Sequence, residues 1–238
     1  MNIALIGYGK MGKAIEEIAL QKGHNIVLKI DDQNLDSLTR ENLEKADVAI
    51  EFTIPESAVS NILLCFEAGV SVVCGTTGWL HQKKFIEEKC NEANGTFLTT
   101  TNFSVGVNIF FELNKKLATL MESHKNYDIL IEETHHTQKK DAPSGTAITL
   151  AEAIIENSSQ KNKWVNNPTE DNNELSVISK RLNATPGTHS VKYFSDIDEI
   201  EIIHTAHSRK GFAAGALMAA EFIHDKKGVF TMKEVLNF

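Results

Sequence analysis

The sequence predicts an α/β protein: an N-terminal parallel sheet covered by helices, then a C-terminal α+β domain with a mixed or antiparallel sheet. Three observations predict it. Strand-like and helix-like segments alternate over the first hundred residues, which requires crossover connections and hence a parallel sheet covered on both faces. A glycine motif at residues 7–12 joins the first strand-like run to the first helical one. Beyond about residue 102 the alternation ends and three strand-like segments follow one another, the mark of a second domain with a different sheet.

The elements follow in order. Asn2 to Ile6 is a short apolar β run, and Met11 to Lys22 has helical spacing, with Met11, Ile15, Ile18 and Ala19 on one face. Asn25 to Ile30 and Ala46 to Phe52 read as the next strands, Glu56 to Ala68 as a helix and Val70 to Cys74 as a fourth strand. Trp79 to Asn94 reads as a helix and Thr96 to Thr100 as a fifth strand. Then come a helix at Val107 to Ser123, a strand at Tyr127 to Thr134 and a helix at Thr146 to Glu156. Glu174 to Leu182, Ser190 to Ser195 and Glu199 to Ala206 are the successive β candidates, and a last helix runs from Gly211 to His224. The polar stretch Asn157 to Asn173 is expected to be an exposed loop that builds no core.

Composition narrows the function. With 24 basic against 32 acidic side chains and a net charge of -8, the chain lacks the basic face that nucleic acid or an anionic membrane needs. Its first residues carry no positive region ahead of an apolar run, unlike a secretory signal. The late apolar stretch Phe212 to Ala220 is about half a membrane span. Cys65, Cys74 and Cys90 are widely spaced, as reduced thiols of a cytoplasmic protein are. The expected partner is a small molecule.

Gly7-Tyr8-Gly9-Lys10-Met11-Gly12 leaves a strand and opens a helix. Gly7 permits the tight turn, Gly9 the approach of a pyrophosphate, and Gly12 close helix–strand packing, while the helix N-terminus offers free N–H groups to phosphates. This makes the first sheet Rossmann-type. Asp31, which follows the second strand, suits an acceptor for ribose hydroxyls. With Asp32 it would repel a 2′-phosphate, so NADH is expected over NADPH. Gly75, Thr76 and Thr77 follow the fourth strand, and Thr100, Thr101, Asn102 and Phe103 the fifth. Ligands bind beyond such strand ends, although turn chemistry alone accounts equally well for these residues.

The segment Glu132 to Thr146 leaves a strand with His135 and His136, presents Lys139 and Lys140, and enters a helix through Pro143-Ser144-Gly145-Thr146. A helix start of small residues binds carboxylates through backbone N–H groups and dipole, and Ser144 or Asp141 can cap it. Adjacent histidines on an extended chain face opposite ways, so one can do chemistry while the other binds or supports. Histidine suits general-acid work. Zinc is the rival use, but His189, His204 and His207 show no metal spacing, and no metal is expected. Cys74, at the end of a buried-type strand with no histidine near in sequence, reads as an inert packing thiol.

The set G-Y-G-K-M-G, C-G-T-T-G, T-N-F-S-V-G-V-N, E-x-H-H-x-x-K-x-D-A-P-S-G-T-A and H-S-R-x-x-F-A-x-G-A, in order from Gly7 to Ala216, resembles the 4-hydroxy-tetrahydrodipicolinate (dihydrodipicolinate) reductase family. The resemblance implies NAD(P)H-dependent formation of tetrahydrodipicolinate in diaminopimelate and lysine biosynthesis. It implies His135 as general acid, Lys139 as second proton donor, and His136, Ser144, Gly145 and Thr146 as contacts to the substrate carboxylates. Gly7 to Gly12, Asp31, Gly75 to Thr77, Thr100 to Phe103 and Arg209 match its cofactor positions. It further implies a dinucleotide domain over 1–103 completed by 210–238, a substrate and oligomerisation domain over 104–209, and a homotetramer. Lys10 stands where the family usually has arginine. Two other classes compete: a two-domain dehydrogenase for another amino-acid-derived substrate, centred on Cys74 or an aspartate–lysine pair, and a non-catalytic NAD-sensing module. The sensor leaves His135 and Lys139 without a purpose.

Overall fold

The computed structural model describes residues 1–183 and 185–238. Two compact units divide the chain: Met1–Val105 with Arg209–Phe238, and Gly106–Ser208. The first unit alternates as its sequence pattern requires: β1 (Asn2–Ile6), α1 (Lys10–Gln21), β2 (Asn25–Ile30), α2 (Arg40–Leu43), β3 (Val48–Glu51), α3 (Pro55–Glu67), β4 (Ser71–Cys74), α4 (Lys83–Glu92) and β5 (Thr96–Thr99). β3, β4 and β5 are buried along their whole length, which only a sheet covered on both faces allows.

The second unit holds α5 (Val105–Met121, all but its first residue), β6 (Asp128–His135), α6 (Gly145–Glu156), β7 (Lys163–Val165), β8 (Glu174–Arg181), β9 (Gly187–Phe194) and β10 (Glu199–Ala206). The chain then re-enters the first unit with α7 (Lys210–Ile223), β11 (Gly228–Phe230) and α8 (Met232–Leu236).

The six-stranded sheet runs β11-β5-β4-β3-β1-β2, parallel throughout. The alanine-rich face of α7 packs with Ile3, Leu5, Ile15 and Leu98 in one core layer. Ala4, Ile62, Phe66, Trp79 and Phe97 build the layer on the other face. The five-stranded sheet runs β10-β9-β6-β8-β7. It is mixed: β6 pairs parallel with β8 and antiparallel with β9. Its core gathers Ile129, Ile131, Val177, Val191 and Tyr193 against α5 and α6. No helix among the described residues is long and apolar enough to cross a membrane.

Three elements differ from the sequence pattern. The stretch Asn157–Asn173 contains β7, and its Lys161 is 4% exposed with Nζ 2.7 Å from Asp128 Oδ1; a long aliphatic stem let a polar segment pack. The helix expected from Trp79 begins at Lys83, because the buried Trp79 ring is tied by its indole N–H to the Thr76 carbonyl at 2.8 Å. β11 adds a sixth parallel strand beside β5, and three residues carry too little periodicity to announce it.

The glycine turn follows from backbone geometry. Gly7 has φ +96°, and a Cβ there would lie 2.0 Å from the Phe52 carbonyl oxygen. No side chain fits without moving β3, so Gly7→Ala should destabilise the first unit by about 2 kcal/mol or more and weaken NADH binding at least about tenfold. Urea unfolding and NADH fluorescence titration read the two effects.

Candidate active site

In the second unit the site grows out of strand alternation. Ile129, Ile131, Glu133 and His135 share the buried face of β6. The same face of β9 carries Tyr193, Val191 and His189, and that of β8 carries Val177, Ser179 and Arg181. Register aligns them in rows: Val191–Ile131–Val177 in the core, then His189–Glu133–Ser179, with Arg181 beside His135. The apolar core thus turns polar at the carboxyl end of β6. Ser144 closes it from above as the N-cap of α6, its Oγ accepting from Ala147 N–H at 3.2 Å.

Glu133 is fully buried and densely bonded. It accepts from Ser144 N–H (3.1 Å), Ser179 Oγ–H (2.8 Å) and Arg181 Nη2 (3.1 Å). Burial pushes its carboxyl up, but His189 close by and the hydrogen bonds from Ser144, Ser179 and Arg181 outweigh that and hold it well below the usual carboxylate range. His135 Nε2 lies 3.2 Å from His189 Nε2 and 3.5 Å from Glu133 Oε2. Burial above all, with His189, Lys139 and Arg181 around the ring, lowers its pKa to about 4 against the opposing pull of Glu133. Gly187 makes room for this ring: a Cβ there would meet His135 Cε1 at 2.7 Å.

Lys139 stands on the turn after β6, its N–H bonded to the His136 carbonyl at 3.1 Å. Its Nζ contacts both oxygens of Asp141, at 2.8 and 2.7 Å. His136 is half-buried with Nδ1 sealed and without a partner. Gly145 opens α6 into empty space, with nothing within 4 Å of where a Cβ would stand. Thr146 follows it, half-buried.

In the first unit, Gly9 begins α1 with no side-chain cap and with open space at its Cα, leaving helix N–H groups to a ligand. Gly12 packs on the turn, where a Cβ would come 2.6 Å from the Gly7 carbonyl. Tyr8 donates to Glu16, Lys29 Nζ reaches Glu16 at 3.1 Å, and Lys10 and Met11 lie at the helix start. Asp31 Oδ1 accepts from Gln33 N–H at 2.9 Å at the end of β2. Thr76 differs from the simple picture of an available hydroxyl: it is buried, and its Oγ1 accepts from Thr53 N–H at 2.8 Å. Gly75 lies under the Phe52 ring, and Thr77 is exposed. Thr100 Oγ1 bonds the Asn102 backbone, Asn102 Oδ1 accepts from Ser104 N–H, Thr101 is exposed, and Phe103 is buried. Arg209 caps α7 and is exposed.

Cys74 is no nucleophile. Its thiol donates to the buried Glu51 at 3.0 Å, and burial with that carboxylate pushes its pKa far up.

Sequence reasoning missed Glu133, Ser179 and Arg181 and set His189 aside for want of spacing. The signal was the strand phase: Glu133 and His135 fall on the parity of Ile129 and Ile131, and His189 on that of Val191. Glu133, His135 and His189 place ligand atoms within 4.8 Å of one another, but the carboxylate already takes three protein hydrogen bonds, one from a guanidinium that would repel a cation.

A Rossmann-type sheet with an open glycine turn, and a second unit whose histidine, lysine and open Gly145 lie on one segment, are the marks of a dinucleotide-dependent oxidoreductase. The family model for the N-terminus of dihydrodipicolinate reductase matches residues 1–103, and that for its C-terminus residues 106–236. A 4-hydroxy-tetrahydrodipicolinate reductase from Christiangramia forsetii is 50% identical over 100% of this chain and 98% of its own. One from Methanopyrus kandleri is 38% identical over 80% of this chain and 71% of its own. Among solved structures, a dipicolinate-bound dihydrodipicolinate reductase from Paenisporosarcina sp. shares the fold at TM-score 0.76 and 22% identity, covering 97% of each chain. The chain belongs to the dihydrodipicolinate reductase family. Its reaction is the NAD(P)H-dependent reduction of 4-hydroxy-tetrahydrodipicolinate to tetrahydrodipicolinate in diaminopimelate and lysine biosynthesis.

Proposed function

We propose that the second unit holds the substrate as a dicarboxylate, one carboxylate on the N–H groups of Gly145 and Thr146 and His136 beside it, with His135 and Lys139 serving the reacting ring. The observation that carries this is the open space at Gly145, where α6 begins, on the same segment as His135 and Lys139 in a chain of net charge -8. Helix dipole and ammonium together favour an anion there. The dipicolinate on the Paenisporosarcina relative is a planar ring dicarboxylate of the same kind. Overall, the reaction adds a hydride and a proton and expels the 4-hydroxyl as water. Charge that develops on the conjugated ring needs a proton and nearby donors, which Lys139 and His135 supply. Ser144 holds the helix start in place.

The cofactor lies on the turn from Gly7 to Gly12, with Asp31 on its ribose, Gly75 to Thr77 and Thr100 to Phe103 at the strand ends, and Arg209 at the start of α7. NADH is the preferred form, because Asp31 and Asp32 meet a 2′-phosphate with like charge. The second-unit sheet ends in β10, where Ile200 and Ile203 are 42% and 58% exposed. That apolar edge supports a homotetramer assembled through these sheets, and the unpaired cysteines suit the cytoplasm.

Coupling the purified chain to an aldolase-type synthase that makes the hydroxylated ring, and following NADH oxidation, tests the assignment. Turnover is expected, with kcat/KM for NADH at least about tenfold above that for NADPH, a difference of about 1.4 kcal/mol. A preference for NADPH overturns the role given to Asp31 and Asp32, and loss of NADH oxidation overturns the substrate assignment.

A further inference from the structure

We propose that His189 is a positioning residue for the reduction: it holds the inner edge of His135 so that this imidazole meets the substrate as a neutral Nδ1–H donor, leaving Lys139 to give the proton. The inference rests on the substrate reading above and extends it to a residue on a different strand.

Proton accounting leads there. His189 Nδ1 is sealed from solvent with no partner. A buried donor without an acceptor costs more than a buried lone pair without a donor, so the His189 proton belongs on Nε2. That atom faces His135 Nε2 at 3.2 Å and Ser144 Oγ at 3.1 Å. An Nε2–H on His189 lies between Ser144 Oγ and His135 Nε2, and with His135 Nε2 as acceptor the proton of neutral His135 sits on Nδ1. Adding a second proton to His135 would set two N–H groups against each other across 3.2 Å. Relieving that contact requires the His189 proton to turn to Ser144 Oγ alone or to move to its sealed Nδ1.

The surrounding charges are divided. Glu133 Oε2 lies 3.5 Å from His135 Nε2 and 3.6 Å from His189 Nε2, and favours the charged ring. Arg181 on β8 and Lys139 on the following turn oppose it. Asp141 is paired with Lys139, and His204, opposite His189 on β10, has its own pKa lowered by burial and by His189 and His207. Burial and the cations prevail, in keeping with the direction in which His135 is displaced. The two candidate proton donors are thereby separated in role: Lys139 keeps a labile proton on an ammonium, and His135 contributes a fixed dipole to the charge developing on the ring.

Histidine-labelled full-length protein, followed by two-bond ¹H–¹⁵N correlation spectra from pH 4 to 8, reads the tautomer and titration of His135 directly. The expected wild-type result is an Nδ1–H tautomer that stays neutral down to at least about pH 5. His189→Gln should raise the His135 titration midpoint, and Glu133→Gln should lower it, because the two neighbours act on the charge with opposite sign. His189→Gln should also lower kcat by about 10- to 100-fold, with the NADH dissociation constant unchanged. A purely structural role would move none of the titrations in opposite directions. An Nε2–H tautomer in the wild type, or a midpoint near the ordinary histidine value, overturns the inference, and this result does not depend on any variant folding. If the wild type reduces the hydroxylated ring in the coupled assay yet shows either of those signatures, only the role of His189 fails. Absence of turnover in that assay would remove the substrate reading itself.

Discussion

Lys139→Ala lowers kcat at neutral pH by about 10²–10⁴-fold, while the NADH dissociation constant moves by less than about twofold. In the free chain Lys139 is held by Asp141 through contacts of 2.8 and 2.7 Å to its two oxygens. Burial pushes the Asp141 carboxyl up, but its hydrogen bond from Lys139 outweighs that and holds it below its ordinary value. A dicarboxylate arriving at the start of α6 competes with Asp141 for the same ammonium, and the lysine that turns to it brings a transferable proton. Lys139→Arg separates charge from proton transfer. A guanidinium keeps the positive charge but does not release a proton, so KM should stay within about threefold while kcat falls nearly as far as in the alanine variant. Stopped-flow turnover of both variants checks this. A Lys139→Arg enzyme with wild-type kcat would mean that Lys139 only binds.

Glu133→Ala should cost the second unit about 3–5 kcal/mol, a large part of the stability of an ordinary domain. The carboxylate is 0% exposed and joins three strands and a helix: β6 carries it, β8 sends Ser179 and Arg181, β9 sends His189, and the start of α6 sends the Ser144 N–H. Removing it strands the Arg181 charge and leaves the Ser144 N–H without an acceptor. Because the Glu133 carboxyl is depressed in the fold, its contribution is present above the ordinary carboxylate pKa and is lost as pH falls through the folded value. The wild type should therefore lose stability on acidification below about pH 4.5, and the Glu133→Ala chain should show a flatter profile. Urea midpoints between pH 7 and pH 3 measure both. A variant within about 1 kcal/mol of the wild type would show that Arg181 finds another partner.

Much of this was legible beforehand, for identifiable reasons. The parallel sheet announced itself through nearly continuous apolar strands such as Val48–Glu51 and Val70–Cys74, broken only by Glu51 and Ser71, and through the glycines of residues 7–12. His135, Lys139 and Ser144 were visible because they lie within ten residues on one segment. Arg181 and His189 were not, since they reach the site by register across β8 and β9, and register is set by pairing partners that a single strand does not display. Glu133 was overlooked although its parity with Ile131 placed it in the core. A charged residue in an apolar phase is the sign of a buried network. Lys161 misled in the other direction, because composition describes the head group and the stem does the packing.

The buried cysteines of the first unit also form a set of reporters. Cys65, Cys74 and Cys90 are all sealed, and burial raises each thiol, that of Cys90 to about 11. In the native state none offers a thiolate to an alkylating reagent or a peroxide, so labelling has to wait for an opening event. Each thiol watches a different one. Cys74 is tethered to Glu51 between β3 and β4, whereas Cys90 on α4 turns its sulfur toward the Gly228 carbonyl, 4.0 Å away at the start of β11. The rate at which Cys90 is modified thus clocks the peeling of the last strand from the sheet edge, and that at Cys74 clocks the breathing of the sheet's centre. Oxidation of these three thiols therefore waits on local opening.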